Sequence, residues 1–142
     1  MINSEGNTME IKTFDFKIHG DSRGKLVAIE TLRDIPFEVK RCYYMWETTE
    51  GVTRGKHAHK KLEQVLICVH GKCKILMDDG HEKAVVELND PSVGLHIKGL
   101  IWREMFDFSN DAVLMVLASD YYNEEDYIRN YEDFMKCVES GE

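Results

Sequence analysis

The stretch that decides the fold of this chain is Gly51-Val-Thr-Arg-Gly-Lys-His57-Ala-His59, followed by Lys-Lys-Leu-Glu-Gln64 and closed by Gly71. In an extended strand, side chains two residues apart project to the same side, so His57 and His59 share one face. A third ligand of a metal site would fall at position 64, but a neutral Gln amide is a weak ligand. Imidazoles free of metal act as acids and bases near neutral pH. The pattern therefore favours an acid–base site.

The spacing resembles the metal motif of cupin barrels, G-x5-H-x-H-x4-E-x6-G, with Gln64 in place of the glutamate. In cupins, the second half of the barrel supplies a further histidine ligand. Arg103 stands at that place here, and an arginine cannot ligate a metal. His96 is the alternative ligand in this region, although its spacing is unsuitable. We therefore expect a pocket without metal or other cofactor.

Length, charge and cysteine pattern indicate one acidic globular domain. The chain has 142 residues and a net charge of −8, which argues against non-specific binding to nucleic acid or anionic membranes. No stretch approaches the roughly 20 apolar residues of a membrane span, and residues 1–10 contain no apolar signal region. The cysteines have no C-x-x-C spacing, so we expect reduced thiols and a cytoplasmic protein.

Short apolar runs separated by turn signals predict an all-β fold. Asp78-Asp79-Gly80 predicts a hairpin turn, and Asn89-Asp90-Pro91 predicts another turn. We expect an N-terminal tail at 1–10, a single-domain, jelly-roll-like cupin barrel at 11–122, and a C-terminal helix packed on the barrel at 123–142, where apolar residues recur at helical spacing. The predicted strands are 26–30, 41–47, 64–69, 72–77, 83–88, 93–97 and 112–118.

Five segments resemble the nucleotide-sugar 3,4-ketoisomerases: RGKHAHKKLEQVLIC at 54–68, IPFEVKRCYY at 35–44, NDPSVGL at 89–95, IWREMFDF at 101–108 and LASDYYNEEDYIR at 117–129. The resemblance implies a metal-free cupin that converts dTDP-4-keto-6-deoxyglucose to a dTDP-3-keto-6-deoxyhexose for 3-amino-3,6-dideoxysugar biosynthesis. It also implies a homodimer with exchanged N-terminal strands. UDP is the alternative nucleotide.

Moving a carbonyl from C4 to C3 requires a base that removes the C3 proton, an enediol(ate) intermediate, and protonation of C4. We expect His57 and His59 to titrate near pH 7, with coupled titrations. The resemblance implies that His57 is the base at carbon and that His59 assists proton movement between the oxygens. Tyr43 is expected on the inward face with Arg41, where it can hold a hydroxyl or shuttle a proton.

The diphosphate and the enediolate both need positive charge in an acidic protein, and guanidinium groups pair well with phosphate oxygens. Trp102 and the Tyr121-Tyr122 pair are candidates to stack on the base, with rim packing as the alternative. The expected substrate-binding residues are Arg23, Arg41, Arg54, Lys60, Gln64 and Arg103.

Arg23 and Arg103 are also expected to control the configuration at C4. In the family that this chain resembles, galacto-type members pair Arg with His at these two places, and gluco-type members pair Tyr with Arg. This chain has Arg at both, so the configuration of the product stays open.

Two alternative functions remain at this point. One is a 3,5-epimerase on the same scaffold, which would share the substrate and a histidine base. The other is a non-catalytic cupin that binds a sugar nucleotide, which would not need two imidazoles on one face.

Overall fold

The computed structural model describes residues 9–141, so most of the predicted tail at 1–10 lies outside the described residues. The described chain forms twelve β-strands, one 3-10 helix and one α-helix. The strands are β1 (Lys12–Asp15), β2 (Ile18–Asp21), β3 (Gly24–Val27), β4 (Arg41–Met45), β5 (Arg54–His59), β6 (Gln64–His70), β7 (Cys73–Asp78), β8 (Lys83–Leu88), β9 (Val93–Ile97), β10 (Trp102–Phe106), β11 (Val113–Ala118) and β12 (Tyr127–Ile128). The 3-10 helix is Glu124–Asp126, and the α-helix α1 is Tyr131–Ser140.

Ten of the strands form two antiparallel five-stranded sheets. The order in the first sheet is β1-β9-β6-β11-β4, and the order in the second is β12-β5-β10-β7-β8. The remaining two strands, β2 and β3, form a separate hairpin. Within residues 9–141 no strand pairing joins the first sheet to the second, so the predicted barrel is a sandwich whose sheets are not closed. The all-β fold with a C-terminal helix is confirmed.

The main core lies between the inner faces of the two sheets. In β6 the inward positions are Gln64, Leu66 and Cys68, all fully buried, because alternate residues of a strand project to one side. The second sheet contributes Ile75 and Met105 to the same cluster. The outer face of the first sheet is covered by a second cluster, which contains Phe16, Ile35, Phe37, Val65, Ile67 and Leu117.

Strand register places the polar residues of the inner faces at one end of the sandwich. In the first sheet, Arg41 lies opposite Ala118, which lies opposite Gln64. In the second sheet, His57 lies opposite Arg103. The apolar core fills the rest of the space, and this end is where a polar site can form.

The C-terminal helix is shorter than the prediction of 123–142. The 3-10 helix ends where Tyr127 and Ile128 pair with His59 and Ala58 as an extra strand. Asn130 then caps α1, its side chain accepting from the backbone N–H of Asp133, and Gly141 ends the helix in the left-handed region. The apolar spacing from residue 127 onward indicated a helix because Ile128 of β12 and Phe134 of α1 pack in the same buried cluster.

Candidate active site

His57 and His59 lie side by side on β5, with ring centroids 4.8 Å apart in an edge-to-face arrangement. His57 is 8% exposed and His59 is fully buried. The Nδ1 of His57 bonds to the carbonyl oxygen of Gly55, and the Nδ1 of His59 lies 3.1 Å from Oδ2 of Asp126. Both Nε2 atoms are buried without a hydrogen-bond partner in the described chain. If each imidazole is neutral and donates from Nδ1, then each Nε2 carries a free lone pair.

A β-bulge sets the position of His57. Between the pairs Arg103–His57 and Met105–Arg54, strand β5 contains one more residue than β10. Gly55 and Lys56 both have positive φ, 88° and 38°. A bulge of this kind re-aims the side chain that follows it. It also brings the Gly55 carbonyl to the imidazole of His57.

Arg103, Gln64 and Tyr43 form a hydrogen-bonded chain that links the two sheets beside the histidines. Nη1 of Arg103 donates to Oε1 of Gln64 at 2.5 Å, and Nε2 of Gln64 donates to the hydroxyl of Tyr43 at 3.0 Å. Arg103 is fully buried and also donates from Nε to the carbonyl oxygen of Ile101 at 3.1 Å. Burial lowers the pKa of Arg103 to about 10, so the guanidinium is still charged at neutral pH.

The pKa values of both histidines lie far below neutrality. Burial, with a further contribution from the Arg103 charge, lowers the pKa of His57 to about 4. The same causes lower the pKa of His59 to about 2, with His57 adding to the effect. The expectation that both titrate near pH 7 is therefore wrong for the free protein. Both imidazoles are neutral at pH 7, and both can accept a proton.

The donor set does not fit a metal ion. The amide oxygen of Gln64 accepts from Arg103, and a buried guanidinium occupies the place of a further ligand. His96 does not complete the set, because its Nε2 pairs with Glu63 at 2.6 Å. In residues 9–141 no group of three or more His, Cys, Asp and Glu side chains could hold a metal ion.

An open cleft of about 290 Å³ gives access to His57. Three arginines, Arg41, Arg54 and Arg129, line it together with Tyr43 and Tyr127. Arg41 stacks over the Tyr43 ring at 5.2 Å, and its Nε and Nη2 atoms are buried without a partner in the described chain. Guanidinium groups pair well with the oxygens of anions such as phosphates.

A matching family model covers residues 9–139 of the chain and describes the family as FdtA: WxcM-like, C-terminal. The chain belongs to this family. A TDP-4-oxo-6-deoxy-alpha-D-glucose-3,4-oxoisomerase of Aneurinibacillus thermoaerophilus is 53% identical over 130 residues, which is 92% of this chain and 94% of that protein.

Two solved structures are similar throughout. The 3,4-ketoisomerase QdtA of Thermoanaerobacterium thermosaccharolyticum, in complex with TDP, has a TM-score of 0.91 and 49% identity, covering 94% of this chain and 97% of its own. A 3,4-ketoisomerase of Helicobacter canadensis has a TM-score of 0.90 and 48% identity, covering 93% of this chain and 99% of its own. The ketoisomerase family predicted from the sequence, and with it the cupin-type fold, is confirmed.

A 3'-monoepimerase of Streptomyces bikiniensis, in complex with dTDP-quinovose, is similar at a TM-score of 0.70 but only 16% identity, covering 82% of this chain and 67% of its own. At this distance the likeness concerns the fold alone.

The structure places most, but not all, of the site residues predicted from the sequence near the cleft. Arg41, Tyr43, Arg54, His57, His59, Gln64 and Arg103 are brought together at one end of the sandwich. Lys60 is exposed and does not line the cleft. Arg23 lies at the turn of the β2–β3 hairpin, where its side chain is 88% exposed and pairs with Asp21 at 2.6 Å.

Trp102 is not available to stack on a nucleotide base. It is 5% exposed, and its ring packs against Tyr131 and Phe134 of α1, with centroids 5.2 Å and 5.9 Å away. Tyr121 and Tyr122 are 68% and 59% exposed at the rim. Of the aromatic candidates, these two tyrosines are the exposed ones.

The sequence reasoning missed three residues that surround the histidines: Asp126, Tyr127 and Arg129. Tyr127 packs on both imidazoles, 5.0 Å from the His57 ring and 4.3 Å from the His59 ring. Arg129 lies 4.2 Å over the Tyr127 ring and pairs with Glu124 at 2.6 Å. All three belong to the segment 117–129, which carries the family resemblance, but a helix over 123–142 packed on the barrel would not place them beside the histidines.

Proposed function

We propose that the protein is a nucleotide-sugar 3,4-ketoisomerase that converts TDP-4-keto-6-deoxyglucose to a TDP-3-keto-6-deoxyhexose. The observation that carries the proposal is the pair of buried, neutral histidines whose free Nε2 atoms lie on one face beside an arginine-lined cleft. The relative named as an oxoisomerase of this substrate is 53% identical over most of the chain. The further pathway to 3-amino-3,6-dideoxysugars is part of the same proposal.

His57 is the proposed base at carbon. Its Nε2 removes the proton from C3, the electrons of that bond form the C3–C4 double bond, and the C4 carbonyl becomes an enol(ate) oxygen. The same histidine then returns a proton to C4, so no atom is gained or lost overall. A pKa of about 4 keeps His57 unprotonated at neutral pH, and bound substrate close to the imidazole supplies the proton that it carries between the two carbons.

His59 is proposed to move the other proton. Its Nε2 takes the proton of the C3 hydroxyl and delivers it to the oxygen on C4 as the carbonyl forms at C3. The charged Arg103 guanidinium belongs to the residue that pairs with His57 across the sheet, and Tyr43 lines the same cleft as His57. A positive charge and a hydrogen-bond donor at this place stabilise the enediolate oxygen. Burial raises the pKa of Tyr43, so its hydroxyl stays protonated and able to donate.

The diphosphate is proposed to bind across Arg41, Arg54 and Arg129. Arg41 offers two buried donors without a partner, and Arg54 and Arg129 flank the same opening. Tyr121 and Tyr122 lie at the rim next to Arg41, whose guanidinium is 5.6 Å from the Tyr122 ring. This arrangement lets the base stack on a tyrosine while the hexose reaches the histidines.

We propose that the reaction needs no metal ion, because Gln64 and Arg103 bond to each other at the ligand positions. Exhaustive dialysis against a chelator should leave kcat within about twofold of the untreated protein, since every proton transfer is assigned to a side chain. Loss of activity on chelation, restored by a divalent ion, would contradict this part of the proposal.

A homodimer is also proposed, with the β2–β3 hairpin as the exchanged element. An isolated two-stranded hairpin is only marginally stable in water. Here Ile18 and Leu26 of the hairpin are 50% and 59% exposed, and Tyr44 and Trp46 lie equally exposed on or just after the edge strand β4. Strand β1 pairs with β9 of its own chain, so the exchange concerns β2 and β3.

In such a dimer, Arg23 at the hairpin turn would be carried to the second copy, which is how it could act on a substrate together with Arg103. Sedimentation equilibrium of the wild type and of an Ile18→Asp/Leu26→Asp variant tests the dimer. A dimeric wild type and a monomeric variant are expected. A monomeric wild type would contradict the proposal.

The four cysteines are free in the structure, and we propose that the protein works in a reducing compartment, the cytoplasm. No helix within residues 9–141 is long and apolar enough to cross a membrane.

The function is tested by incubating the protein with TDP-4-keto-6-deoxyglucose in D2O and following the sugar by NMR. We expect the carbonyl to move from C4 to C3, with any deuterium that enters the product at C4. Exchange at C3 and C5 with the carbonyl still at C4 would instead identify a 3,5-epimerase. Binding of the substrate without exchange or conversion would identify a non-catalytic binding protein.

A further inference from the structure

His59 is held by a carboxylate from a distant part of the chain. Oδ2 of Asp126 lies 3.1 Å from Nδ1 of His59, and the two residues are 67 positions apart in the sequence. The side chains are 16% and 1% exposed. The contact is therefore largely shielded from water, where a charge-assisted hydrogen bond is strong.

The carboxylate of Asp126 is itself fixed by the backbone that follows His59. Its Oδ1 accepts from the N–H of Lys61 at 2.8 Å, and its Oδ2 accepts from the N–H of Leu62 at 3.3 Å. The backbone carbonyl of Asp126 accepts from the N–H of Lys60 at 3.1 Å. Three consecutive donors after β5 thus converge on one residue of the 3-10 helix. The side chain takes two of these donors, and an ionised carboxylate has only acceptor atoms, so it acts as an acceptor towards His59 as well.

The consequence concerns the tautomer of His59. A neutral imidazole has one N–H, and an acceptor at Nδ1 places that hydrogen on Nδ1. The lone pair is then on Nε2, which is buried and has no partner in the described chain. Asp126 Oδ2 is thus the hydrogen-bond partner that selects the tautomer of His59.

We propose that Asp126 is the positioning residue of His59: it holds the imidazole with the hydrogen on Nδ1 and the lone pair on Nε2 free to accept a substrate proton, and it stabilises the imidazolium formed during proton transfer. This inference rests on the proposed function. When Nε2 of His59 takes the proton of the C3 hydroxyl, the ring becomes a cation whose Nδ1–H still donates to Asp126. The proton then leaves from Nε2 to the oxygen on C4, and Asp126 keeps its charge throughout.

The variant Asp126→Asn separates orientation from packing, because Asn has nearly the same shape. If its NH2 group takes the place of Oδ2, it donates to Nδ1 of His59 and forces the hydrogen to Nε2. If its oxygen takes that place, the NH2 group faces the N–H of Lys61 at 2.8 Å, where two donors oppose each other. The first orientation opposes only the longer contact from Leu62 at 3.3 Å. We therefore expect the reversed tautomer.

The direct test is two-bond ¹H–¹⁵N NMR of the ¹⁵N-labelled protein, which shows which ring nitrogen carries the hydrogen. We expect the Nδ1–H form for His59 in the wild type and the Nε2–H form in Asp126→Asn. His57 is the internal control and should stay Nδ1–H in both proteins, because its partner is the Gly55 carbonyl. An Nε2–H form of His59 in the wild type would overturn the proposal without any variant.

The kinetic test uses the same variant with TDP-4-keto-6-deoxyglucose. We expect kcat to fall by about 10²-fold or more, as a wrong tautomer removes the proton acceptor, while KM changes by less than about threefold. Glu125→Gln is the matched control, since it removes the same charge from the neighbouring, exposed residue of the 3-10 helix. It should keep wild-type kcat and the wild-type tautomer.

The outcomes are distinguishable from a failure of the proposed function. A protein that does not isomerise this sugar but shows the tautomer change would contradict the function and keep the Asp126–His59 arrangement. Unchanged kcat in Asp126→Asn, in a protein whose wild type is active, would overturn the positioning role. A variant whose thermal unfolding and near-UV spectrum match the wild type, but whose KM alone rises, would likewise overturn it in favour of a binding role.

Discussion

His57 and His59 are two residues apart on one strand, yet the molecule supports them in different ways. His57 is oriented by a backbone carbonyl two residues before it, in the bulge of its own strand. His59 is oriented by a carboxylate from the segment that precedes α1. Two chemically identical side chains therefore have local and long-range support, respectively. The difference suits two roles, one at the carbon atoms and the other at the oxygens of the substrate.

The surroundings of His57 and His59 also differ in their effect on the pKa and in burial. Burial and Arg103 lower the pKa of both histidines, but that of His59 falls further, to about 2 against about 4 for His57. His57 borders the open cleft, whereas His59 is completely buried and lines a smaller neighbouring cavity of about 130 Å³. A base that meets the C–H bond must reach the substrate directly, and His57 is placed for that contact.

The largest effect is expected from His57→Asn. Removal of the only proposed base at carbon should reduce kcat by about 10⁴-fold, the upper range for loss of a general base. Binding of TDP, measured by calorimetry, should be unchanged within about twofold, since the arginines of the cleft are untouched. If this variant keeps more than about a tenth of wild-type turnover, His57 is not the base that removes the C3 proton.

His59→Asn should slow turnover by about 10²–10⁴-fold, because the proton transfer between oxygens loses its carrier. The two variants should differ in hydrogen exchange. With His57 still present, His59→Asn should continue to exchange the C3 proton of the substrate in D2O, whereas His57→Asn should not. Equal exchange in both variants would show that the roles are not divided as proposed.

The fold could be predicted from the sequence because most of its strands carry a local signal. The hairpin at Asp78-Asp79-Gly80 joins β7 to β8, as expected, and the alternation in 41–45 places Arg41 and Tyr43 on the inward side. Strands β1, β2, β5, β10 and β12 were not among the predicted strands. The first two are mostly exposed and lack the alternation of a half-buried strand, and β10 includes a buried arginine in place of an apolar residue.

From the sequence, site residues could be predicted only where they belong to a motif with a fixed spacing or where the resemblance to the family assigns them a role. The H-x-H pair and Gln64 follow from positions within one motif, and Arg103 follows from the family resemblance. Asp126 could not be found in this way, because its partner is 67 residues away and the pairing of β12 with β5 has no signal in a two-residue strand. The low pKa values were missed for a related reason: they depend on burial and on Arg103, which only the packed structure brings together.

A smaller effect is expected from Gly55→Ala. Gly55 has φ 88°, and a Cβ there would lie 3.4 Å from the carbonyl oxygen of Arg103. The left-handed backbone costs about 1–2 kcal/mol for a residue other than glycine, and relaxation of the bulge would move the carbonyl that orients His57. We expect a lower melting temperature and a kcat lower by about tenfold, an effect of mispositioning.

Gly99→Ala is the matched control for this change. Gly99 has φ 82°, and a Cβ there meets nothing within 4 Å. It should lower the melting temperature by a similar amount and leave kcat unchanged. Equal kcat losses in both variants would mean that the bulge has no specific effect on His57.

The pH dependence of activity shows whether the catalytic base has the lowered pKa of a buried histidine or the usual pKa of a solvated one. Since His57 must be neutral to act as a base and its pKa is about 4, kcat/KM should be constant from pH 7 down to about pH 5 and fall below that as the imidazole is protonated. A plot of log(kcat/KM) against pH for a substrate without its own titration in this range provides the check. An apparent pKa of 6.5 would place the working base in a solvated environment and contradict the buried pair.

The last prediction concerns stability, and its sign follows from the same lowered histidine pKa values. Below pH 6.5 the unfolded chain protonates both histidines, whereas the folded chain does so only near pH 4 at His57 and near pH 2 at His59. The unfolded state therefore binds more protons in this window, and the free energy of unfolding declines as pH falls through it. A His57→Gln/His59→Gln variant should lose less stability than the wild type between pH 6.5 and 4.5, by on the order of a few kcal/mol, since each unit of pKa difference corresponds to about 1.4 kcal/mol. His70→Gln, at a histidine whose side chain is 68% exposed, is the control and should follow the wild type. If the free energy of unfolding falls equally with pH in the double variant and the wild type, the folded protein does not hold the two imidazoles neutral. The different hydrogen-bond partners of His57 and His59 would then have no measurable effect on stability.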